Sequence, residues 1–390
     1  DLTGNFRRLL AAPDIASKEW ITEQYDSMVR TNTEFGPGAG DAAVLRLKET
    51  KRALAIKTDG NGRWGFLSPK VGAMHAVAEA ARNVACTGAR PIAATNCLNF
   101  GNPEKPEVMW QFTEAIDGIA EACRVLETPI TGGNVSFYNE TLGKPIYPTP
   151  ILGVLGLMED AECALGSAFR NEGDAIVLLD GAGLSAEEKS GFLAASRARE
   201  NRGEDKGARD SAGNDSPGLA GRGETDAISF GSSEYAKEIH GVVAGPPPTI
   251  DLEGEKRLIE CLVDLASKRT ILSAHDVSDG GLAVTLAESC FGSEGLSAEV
   301  EVPAAPGDEP AESALFGERG ARAVVSVPAS SLAALEATAT KWKVSATRLG
   351  RVTRGEFRIQ YRGAPVIHGA IDSFLHAWRG SLEKAVEAAA

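Results

Sequence analysis

Residues 129–138 read Pro-Ile-Thr-Gly-Gly-Asn-Val-Ser-Phe-Tyr, an apolar lead-in followed by two glycines and then alternating polar and apolar side chains. Paired glycines let the backbone turn sharply and let a ligand approach closely, because no Cβ stands in the way. If Val135 faces a core, then Asn134 and Ser136 share the opposite, open face of a strand. Taken alone, the stretch is typical either of a turn that ends a strand or of a ligand site.

The composition predicts a reduced, cytoplasmic protein that binds neither nucleic acid nor membranes. The 390 residues carry a net charge of -14, and 43% of them are apolar. An acidic chain lacks the basic surface that general nucleic-acid binding needs. The six cysteines are scattered without a CxxC motif, and no apolar run reaches the length of a membrane span. No signal peptide opens the chain, and its first residue, Asp1, suggests a processed chain or part of a longer one.

Hydrophobic periodicity predicts an α/β domain over residues 36–158, after a helical lead-in at 1–35. Strands are expected at 42–47, 53–58, 91–96 and 146–158. Helices are expected at 71–86 and from Pro106 to near Leu126. The order strand, helix, strand, helix, strand therefore ends in the Gly133/Asn134 stretch.

A second α/β domain is expected over residues 159–390. Its predicted strands lie at 175–179, 270–274, 296–302, 322–327 and 346–352. Its predicted helices lie at 252–267, from the turn at 275–281 through Ser289, near 329–342 and at 370–388. Residues 198–227 are rich in Gly, Arg, Glu, Asp and Ser, with almost no large apolar side chain. This composition predicts a mobile surface insertion, and its interspersed acids favour a solvated linker over an anion-binding patch.

Three of the predicted strands end in a polar residue, namely Asp59, Asn96 and Asn134. In α/β folds, ligands bind beyond strand ends at glycine-rich turns. None of the three side chains is basic, and two offer neutral oxygens. This set suits a metal-bridged polyphosphate better than a bare anion.

Further oxygen-bearing side chains lie on a helix and in a second turn. Glu79 and Asn83 share one helical stripe, and with Asp59 they could hold a hydrated divalent cation; the alternative is a solvated helix face. The turn at residues 275–281 (HDVSDGG) carries Asp276 and a second carboxylate. Its alternative interpretation is simple N-capping of the following helix by Ser278 or Asp279.

Six stretches together resemble a known family. They are residues 58–63 (TDGNGR), 78–84 (AEAARNV), 98–107 (LNFGNPEKPE), 132–140 (GGNVSFYNE), 231–235 (GSSEY) and 274–283 (AHDVSDGGLA). They are similar to the second half of the phosphoribosylformylglycinamidine synthases, which belong to the AIR-synthase-like (PurM) superfamily. The resemblance covers nearly the whole chain outside 198–227.

The resemblance implies a fold and a reaction. The fold is a pair of AIR-synthase-like domains with mixed β-sheets packed by helices, N-terminal-like at 36–158 and C-terminal-like at 159–390. In the reaction, ATP phosphorylates the formamide oxygen of formylglycinamide ribonucleotide, and ammonia made from glutamine displaces the phosphate to give the amidine in purine biosynthesis. Mg²⁺ neutralises the polyphosphate and holds it in line.

The resemblance also assigns roles to individual residues. Asn96 and Gly133 match ATP contacts, although many relatives have Asp at position 96. Asn134 matches a Mg²⁺ ligand, and Ser136 matches a substrate contact. A separate, pseudo-symmetric nucleotide and metal site is implied for four further side chains: Asp59, Glu79, Asn83 and Asp276.

One departure from the family predicts that this chain alone is inactive. The family's catalytic histidine lies in a Ser-His-Asn-His-Pro segment of the first half, and the 390 residues contain no such segment. The implied partners are the missing N-terminal half, a PurQ glutaminase and a small PurS subunit. The alternatives are a non-catalytic, nucleotide-binding structural half, or another ATP-dependent enzyme of the superfamily, such as AIR synthase or selenophosphate synthetase.

Overall fold

The computed structural model describes residues 1–182, 230–304 and 309–389, so the predicted insertion at 198–227 lies outside the described residues. Two large sheets with flanking helices make up this part of the chain, which confirms the predicted α/β class. Within it, none of the helices is both long and apolar enough to cross a membrane.

The first sheet is mixed and has six strands. The strands of this half are β1 (Thr33–Phe35), β2 (Ala43–Arg46), β3 (Ala53–Asp59), β4 (Arg90–Asn99), β5 (Ile130–Ser136), the small hairpin β6 (Glu140–Thr141) and β7 (Lys144–Pro145), and β8 (Thr149–Met158). The sheet order is β1-β2-β3-β8-β4-β5. β8 pairs antiparallel with both β3 and β4, whereas β4 and β5 run parallel around the helix that connects them.

The helices that the structure describes cover one face of this sheet. The helices of this half are α1 (Leu2–Leu10), α2 (Glu19–Thr22), α3 (Gly62–Leu67), α4 (Pro69–Cys86) and α5 (Pro106–Val125). α4 begins with a proline in its first turn and is buried along most of its length. The opposite face carries no helix in the described part of the chain, and Ile56 and Ile92 are each about two-fifths exposed.

The second sheet has seven strands. They are β9 (Ala175–Asp180), β10 (Ser273–Asp276), β11 (Leu296–Val302), β12 (Arg322–Val327), β13 (Ser345–Arg354), β14 (Glu356–Tyr361) and β15 (Ala364–Ala370), in the order β10-β12-β9-β13-β11-β14-β15. The accompanying helices are α6 (Glu234–His240), α7 (Leu252–Ser267), α8 (Gly281–Phe291), α9 (Ala311–Phe316), α10 (Leu332–Lys341), α11 (Ile371–Arg379) and α12 (Ser381–Ala389).

Two hydrophobic cores hold the sheets together. The first extends from the first sheet through α4, α5 and α7 to one face of the second sheet, so α4 is buried between the two sheets. The second core lies on the other face of the second sheet and contains α1, α8 and α11. There the Phe6 ring packs against Phe357 and Phe374, with centroid distances of 6.0 and 5.1 Å.

Several element bounds differ from the predicted ones. The strand expected at 270–274 lies at Ser273–Asp276, and the helix expected at 370–388 is two helices separated at Gly380. The lead-in is α-helical in α1 and α2, has a short 3-10 helix at Val29–Thr31, and ends in β1. The hairpin β6–β7 and the strands β14 and β15 were not predicted, because their short, mixed segments lack a strong period.

Candidate functional site

One row of residues crosses the first sheet at the end where the polar side chains were predicted. Asp59 on β3 pairs with Leu152 on β8, which pairs with Asn96 on β4, which pairs with Gly133 on β5. Paired residues in a sheet point to the same face. Leu152 is fully buried, so this row faces the helices. Three strand spacings, roughly 14 Å, separate Asp59 from Gly133. The predicted residues therefore form two separate candidate sites, one at each of these positions.

At the sheet edge, the structure brings Asn96 and Gly133 together. A Cβ added to Gly133 would lie 2.0 Å from the side-chain oxygen of Asn96 and 2.7 Å from its backbone oxygen. Position 133 therefore requires glycine for steric reasons. The neutral amide of Asn96 lies over the glycine backbone, where it could receive a ligand.

Asn134 and Ser136 point to the other, open face of β5. The Ser136 hydroxyl accepts a hydrogen bond from Asn139 Nδ2 at 3.2 Å and lies 3.3 Å from Asn139 Oδ1. Val135 between them pairs with buried Leu98 and points to the helix side, as the alternation predicts, but it is 49% exposed. The physical reason is that β5 is the last strand of the sheet, with no neighbour on its far side among the described residues.

The second place is a cavity of about 490 Å³ between β3, α4 and the turn before α8. Asp59, Glu79 and Asp279 line it. The amide of Asn83 donates to Asp276 Oδ2 at 3.4 Å, which ties α4 to the end of β10. The structure thus brings together the four residues of the implied pseudo-symmetric site, Asp59, Glu79, Asn83 and Asp276.

A fifth carboxylate, Asp41, was not predicted. Asp41 Oδ2 accepts the backbone N–H of Asp276 at 2.8 Å, and its Oδ1 lies 2.6 Å from Nδ1 of His275. It follows the glycine-rich turn at residues 36–40, and that position before a strand was the signal available in the sequence. We call Asp41, Asp59, Glu79, Asp276 and Asp279 the carboxylate cluster.

His275 holds the cluster in place but is poorly suited to bind a metal ion. Its ring nitrogens contact Asp41 at 2.6 Å and Glu288 at 3.0 Å. Burial alone would lower the pKa of His275, but the two carboxylates outweigh it and raise the pKa well above the usual value. An imidazolium has only donors, so the oxygens of Asp41 and Asp276 are the usable metal ligands in this group.

A buried arginine compensates part of the cluster's charge. Arg82 on α4 is only 2% exposed, and its two terminal nitrogens contact Glu255 at 2.7 Å and Asp276 at 3.2 Å. Glu255 Oε1 also accepts the backbone N–H of Ala321 at 2.6 Å. Arg82 thereby links α4 to α7 and β10, and the sequence singled it out only as part of the 78–84 motif.

The environment of the cluster disfavours the negative charge of four of its carboxylates. Burial raises the pKa of Asp59, Asp276 and Asp279 to about 6 each. Burial and its acidic neighbours raise the pKa of Glu79 well above its usual value. Carboxylates in this state gain most from a divalent cation, which would favour their charged forms. The donor set therefore fits Mg²⁺ on oxygen chemistry alone.

The turn before α8 is held by residues outside the turn and not by its own side chains. α8 starts after Gly280, whose φ is 78°, and no side chain caps it, so the capping interpretation of Ser278 and Asp279 is wrong. The buried carboxylate of Glu318 instead accepts the N–H of Gly280 and the N–H of Glu234, each at 2.8 Å. Arg63 contacts Glu234 at 2.5 Å and completes this support. The carboxylate of Asp279 is thus left available to the cavity.

Two known domain families match this chain. Residues 39–158 match AIR synthase related protein, N-terminal domain, and residues 219–362 match AIR synthase related protein, C-terminal domain. The fold and both matches define an AIR synthase related chain. The curated relatives narrow this class. The "Phosphoribosylformylglycinamidine synthase subunit PurL" of Chlorobaculum tepidum is 44% identical over 387 residues, and that of Moorella thermoacetica is 42% identical over 374 residues.

The chain belongs to the AIR synthase related family, and the curated relatives that it matches are PurL subunits. The alignments cover 97% and 96% of this chain but only 45% and 44% of these two relatives, so the chain spans about half of their length. Solved structures agree in fold. A structure described as "T. maritima PurL complexed with FGAR" matches with a TM-score of 0.69 at 18% identity, over 96% of this chain and 53% of that one. "Structure of PurLQS from Thermotoga maritima" matches with a TM-score of 0.62 at 18% identity, over 90% and 48%.

Proposed function

We propose that this chain supplies one half of a cytoplasmic phosphoribosylformylglycinamidine synthase, an ATP-dependent carbon–nitrogen ligase of purine biosynthesis. The observation that carries the proposal is the sequence identity above 40% to PurL subunits over almost the whole chain. The complete enzyme would convert formylglycinamide ribonucleotide to its amidine with ATP and glutamine-derived ammonia. The domain boundaries proposed for this half are 36–158 and 159–390.

The sheet edge is the proposed contribution to the active site. Asn96 and Gly133 would contact ATP, Asn134 would ligate Mg²⁺, and Ser136 would contact formylglycinamide ribonucleotide. The steric requirement for glycine at 133 and the exposure of Asn134 support this assignment. Mg²⁺ supplies charge neutralisation of the polyphosphate when it is bound. This chain's own residues would bind and orient the two substrates.

The carboxylate cluster is the proposed second, pseudo-symmetric site for a nucleotide and Mg²⁺. Asp59, Glu79, Asn83 and Asp276 were assigned to it, and the geometry adds Asp41. The oxygens, the burial and the raised pKa values of this cluster support a divalent cation. Its distance from Gly133, roughly 14 Å across the sheet, supports a site separate from the edge.

The partner proposed first is the N-terminal half of PurL. The face of the first sheet that no described helix covers, with Ile56 and Ile92, is an apolar surface of the kind that a second sheet covers. The other proposed partners are the PurQ glutaminase and the PurS subunit. Support comes from the structure titled PurLQS, whose fold this chain shares.

Two experiments test this proposal. Calorimetric titration of Mg²⁺·ATP into the chain should show saturable binding at the sheet edge that is lost in Asn134→Ala. The chain alone, given ATP, Mg²⁺ and ammonia, should form no amidine, because the Ser-His-Asn-His-Pro segment is absent from the 390 residues. Detectable turnover by the purified chain would contradict the proposed division of labour.

A second candidate function is a structural half that binds a nucleotide without taking part in catalysis. The buried ion pairs and hydrogen bond around the carboxylate cluster favour this structural function, because they connect the two sheets and would stabilise the fold. Ser136→Ala in the assembled enzyme separates the two functions. A changed KM or kcat supports a shared active site, whereas unchanged kinetics support the structural role.

A further inference from the structure

Lys57 is a cation inside the carboxylate cavity that no sequence motif had singled out. It lies on β3 two residues before Asp59, so both side chains project toward the helix-covered face. Lys57 lines the cavity of about 490 Å³ together with Asp59, Glu79 and Asp279. These residues come from β3, α4 and the turn before α8, and all are held by the packing described above.

The ammonium group of Lys57 has no partner among the residues that the structure describes. Within this described part of the chain it takes part in no ion pair within 4.0 Å and no hydrogen bond, and the carboxylates act on it only from a longer distance. Burial lowers the pKa of Lys57, but the surrounding carboxylates outweigh burial and raise it, so the group is charged at neutral pH. Because no described residue bonds to it, the Lys57 ammonium has three N–H donors that a ligand could use.

The other cation that lines this cavity, Lys18, and the nearby Arg82 are already engaged. Lys18 also lines the wall, but its Nζ donates to the carbonyls of Pro13, Asp14 and Ala16 at 2.6–3.1 Å. Arg82 is paired with Glu255 and Asp276. Lys57 is therefore the cavity cation with donors left for a ligand.

The mixture of charges restricts the ligand. The carboxylates would repel a bare anion, and Lys57 would weaken the binding of a bare divalent cation. A phosphate anion that carries its own divalent cation satisfies both, because the metal can lie on the carboxylates while a phosphate oxygen reaches the ammonium. We propose that Lys57 is the anion contact of this cavity and binds a phosphate group of a metal-bound nucleoside di- or triphosphate.

This inference rests on the proposed second nucleotide site but adds a test of its own. In an Asn134→Ala background, which removes binding at the sheet edge, Mg²⁺·ADP is titrated into the full chain by calorimetry. Mn²⁺ alone is titrated in parallel and followed by electron paramagnetic resonance. The variants are Lys57→Met and Lys57→Arg, and the control is Lys51→Met on the exposed turn before the same strand.

The Lys57→Met substitution should change the affinities for Mg²⁺·ADP and for Mn²⁺ in opposite directions. Lys57→Met should weaken Mg²⁺·ADP binding by about tenfold or more, because the phosphate loses a charged hydrogen bond. The same variant should tighten Mn²⁺ binding by about threefold or more, because a repelling charge is gone. Lys57→Arg should restore most of the nucleotide affinity, and Lys51→Met should change neither.

Other results overturn the inference. Unchanged Mg²⁺·ADP affinity in a folded Lys57→Met chain would show that Lys57 does not contact phosphate. Parallel weakening of ADP and Mn²⁺ binding would show a merely structural role. Failure of the parent chain to bind Mg²⁺·ADP would refute the cavity site, while turnover by the assembled enzyme would still test the proposed function separately.

Discussion

Arg82 Nη2 on α4 donates to Asp276 Oδ2 on β10 at 3.2 Å, across 194 residues of sequence. The contact joins the helix layer of the first sheet to the edge strand of the second sheet. The same guanidinium holds Glu255 on α7, so one buried cation links three elements. The candidate cation site is thus built into the interface between the two halves of this chain.

Substitution of Arg82 should strongly lower the free energy of unfolding. Arg82→Met leaves two carboxylates buried without their counter-ion, and we expect about 3–5 kcal/mol less stability in urea unfolding. Arg52→Met is the matched control, because Arg52 pairs with Glu159 at 2.8 Å on the exposed surface. That change should cost less than about 1 kcal/mol. Equal effects of the two substitutions would contradict the counter-ion role of Arg82.

Substitution by alanine at the two adjacent glycines of residues 129–138 should have different effects on stability. A Cβ at Gly133 would collide with Asn96, whereas a Cβ at Gly132 meets no atom within 4 Å. Gly133→Ala should therefore lower the free energy of unfolding by about 1–3 kcal/mol. Gly132→Ala should stay within about 0.5 kcal/mol of the parent chain. Urea unfolding of both variants checks this, and a tolerated alanine at 133 would count against the packed Asn96 amide.

The pH dependence of stability should contain a contribution from His75. This residue is 3% exposed and its Nε2 lies 2.7 Å from the carbonyl of Pro248. Burial lowers its pKa, so the folded chain keeps His75 neutral at pH values where the unfolded chain, with a histidine pKa of about 6.5, binds a proton. The stabilising contribution is therefore present above about pH 6.5 and is lost as the pH falls.

Urea unfolding at about pH 7.5 and pH 5.5 measures this term. The parent chain should lose up to about 1.4 kcal/mol more between these values than His75→Gln, whose amide does not titrate in this range. His368 is exposed, so His368→Gln should follow the parent chain. Identical pH profiles for the parent chain and His75→Gln would mean that His75 is not held neutral.

The N-terminal helix should stabilise the second sheet. Phe6 is fully buried against Phe357 and Phe374. Phe6→Ala should lower the free energy of unfolding by about 3–5 kcal/mol, because it opens a cavity in the second core. Tyr25 lies in the same lead-in but is 73% exposed, and Tyr25→Ala should change stability by about 0.5 kcal/mol or less. Similar effects of both changes in urea would show that the lead-in is loosely attached.

The sequence by itself determined the class of fold and pointed to some of the residues of both candidate sites. Period and turn chemistry act locally, so β3, α4 and α5 could be predicted close to their observed bounds. The glycine pair and the polar strand ends also pointed to ligand chemistry at Asp59, Asn96 and Asn134. The family resemblance rested on motifs that are contiguous in the chain.

Only the tertiary structure decided which of these residues meet. β8 inserts between β3 and β4 and keeps Asp59 apart from Gly133, a pairing between distant segments that no local pattern specifies. Asp41, Arg82 and Lys57 became part of a site because segments far apart in sequence pack around one buried helix. Burial then raised the pKa values of the carboxylates. Such electrostatic effects depend on distances through space, and a linear sequence does not contain those distances.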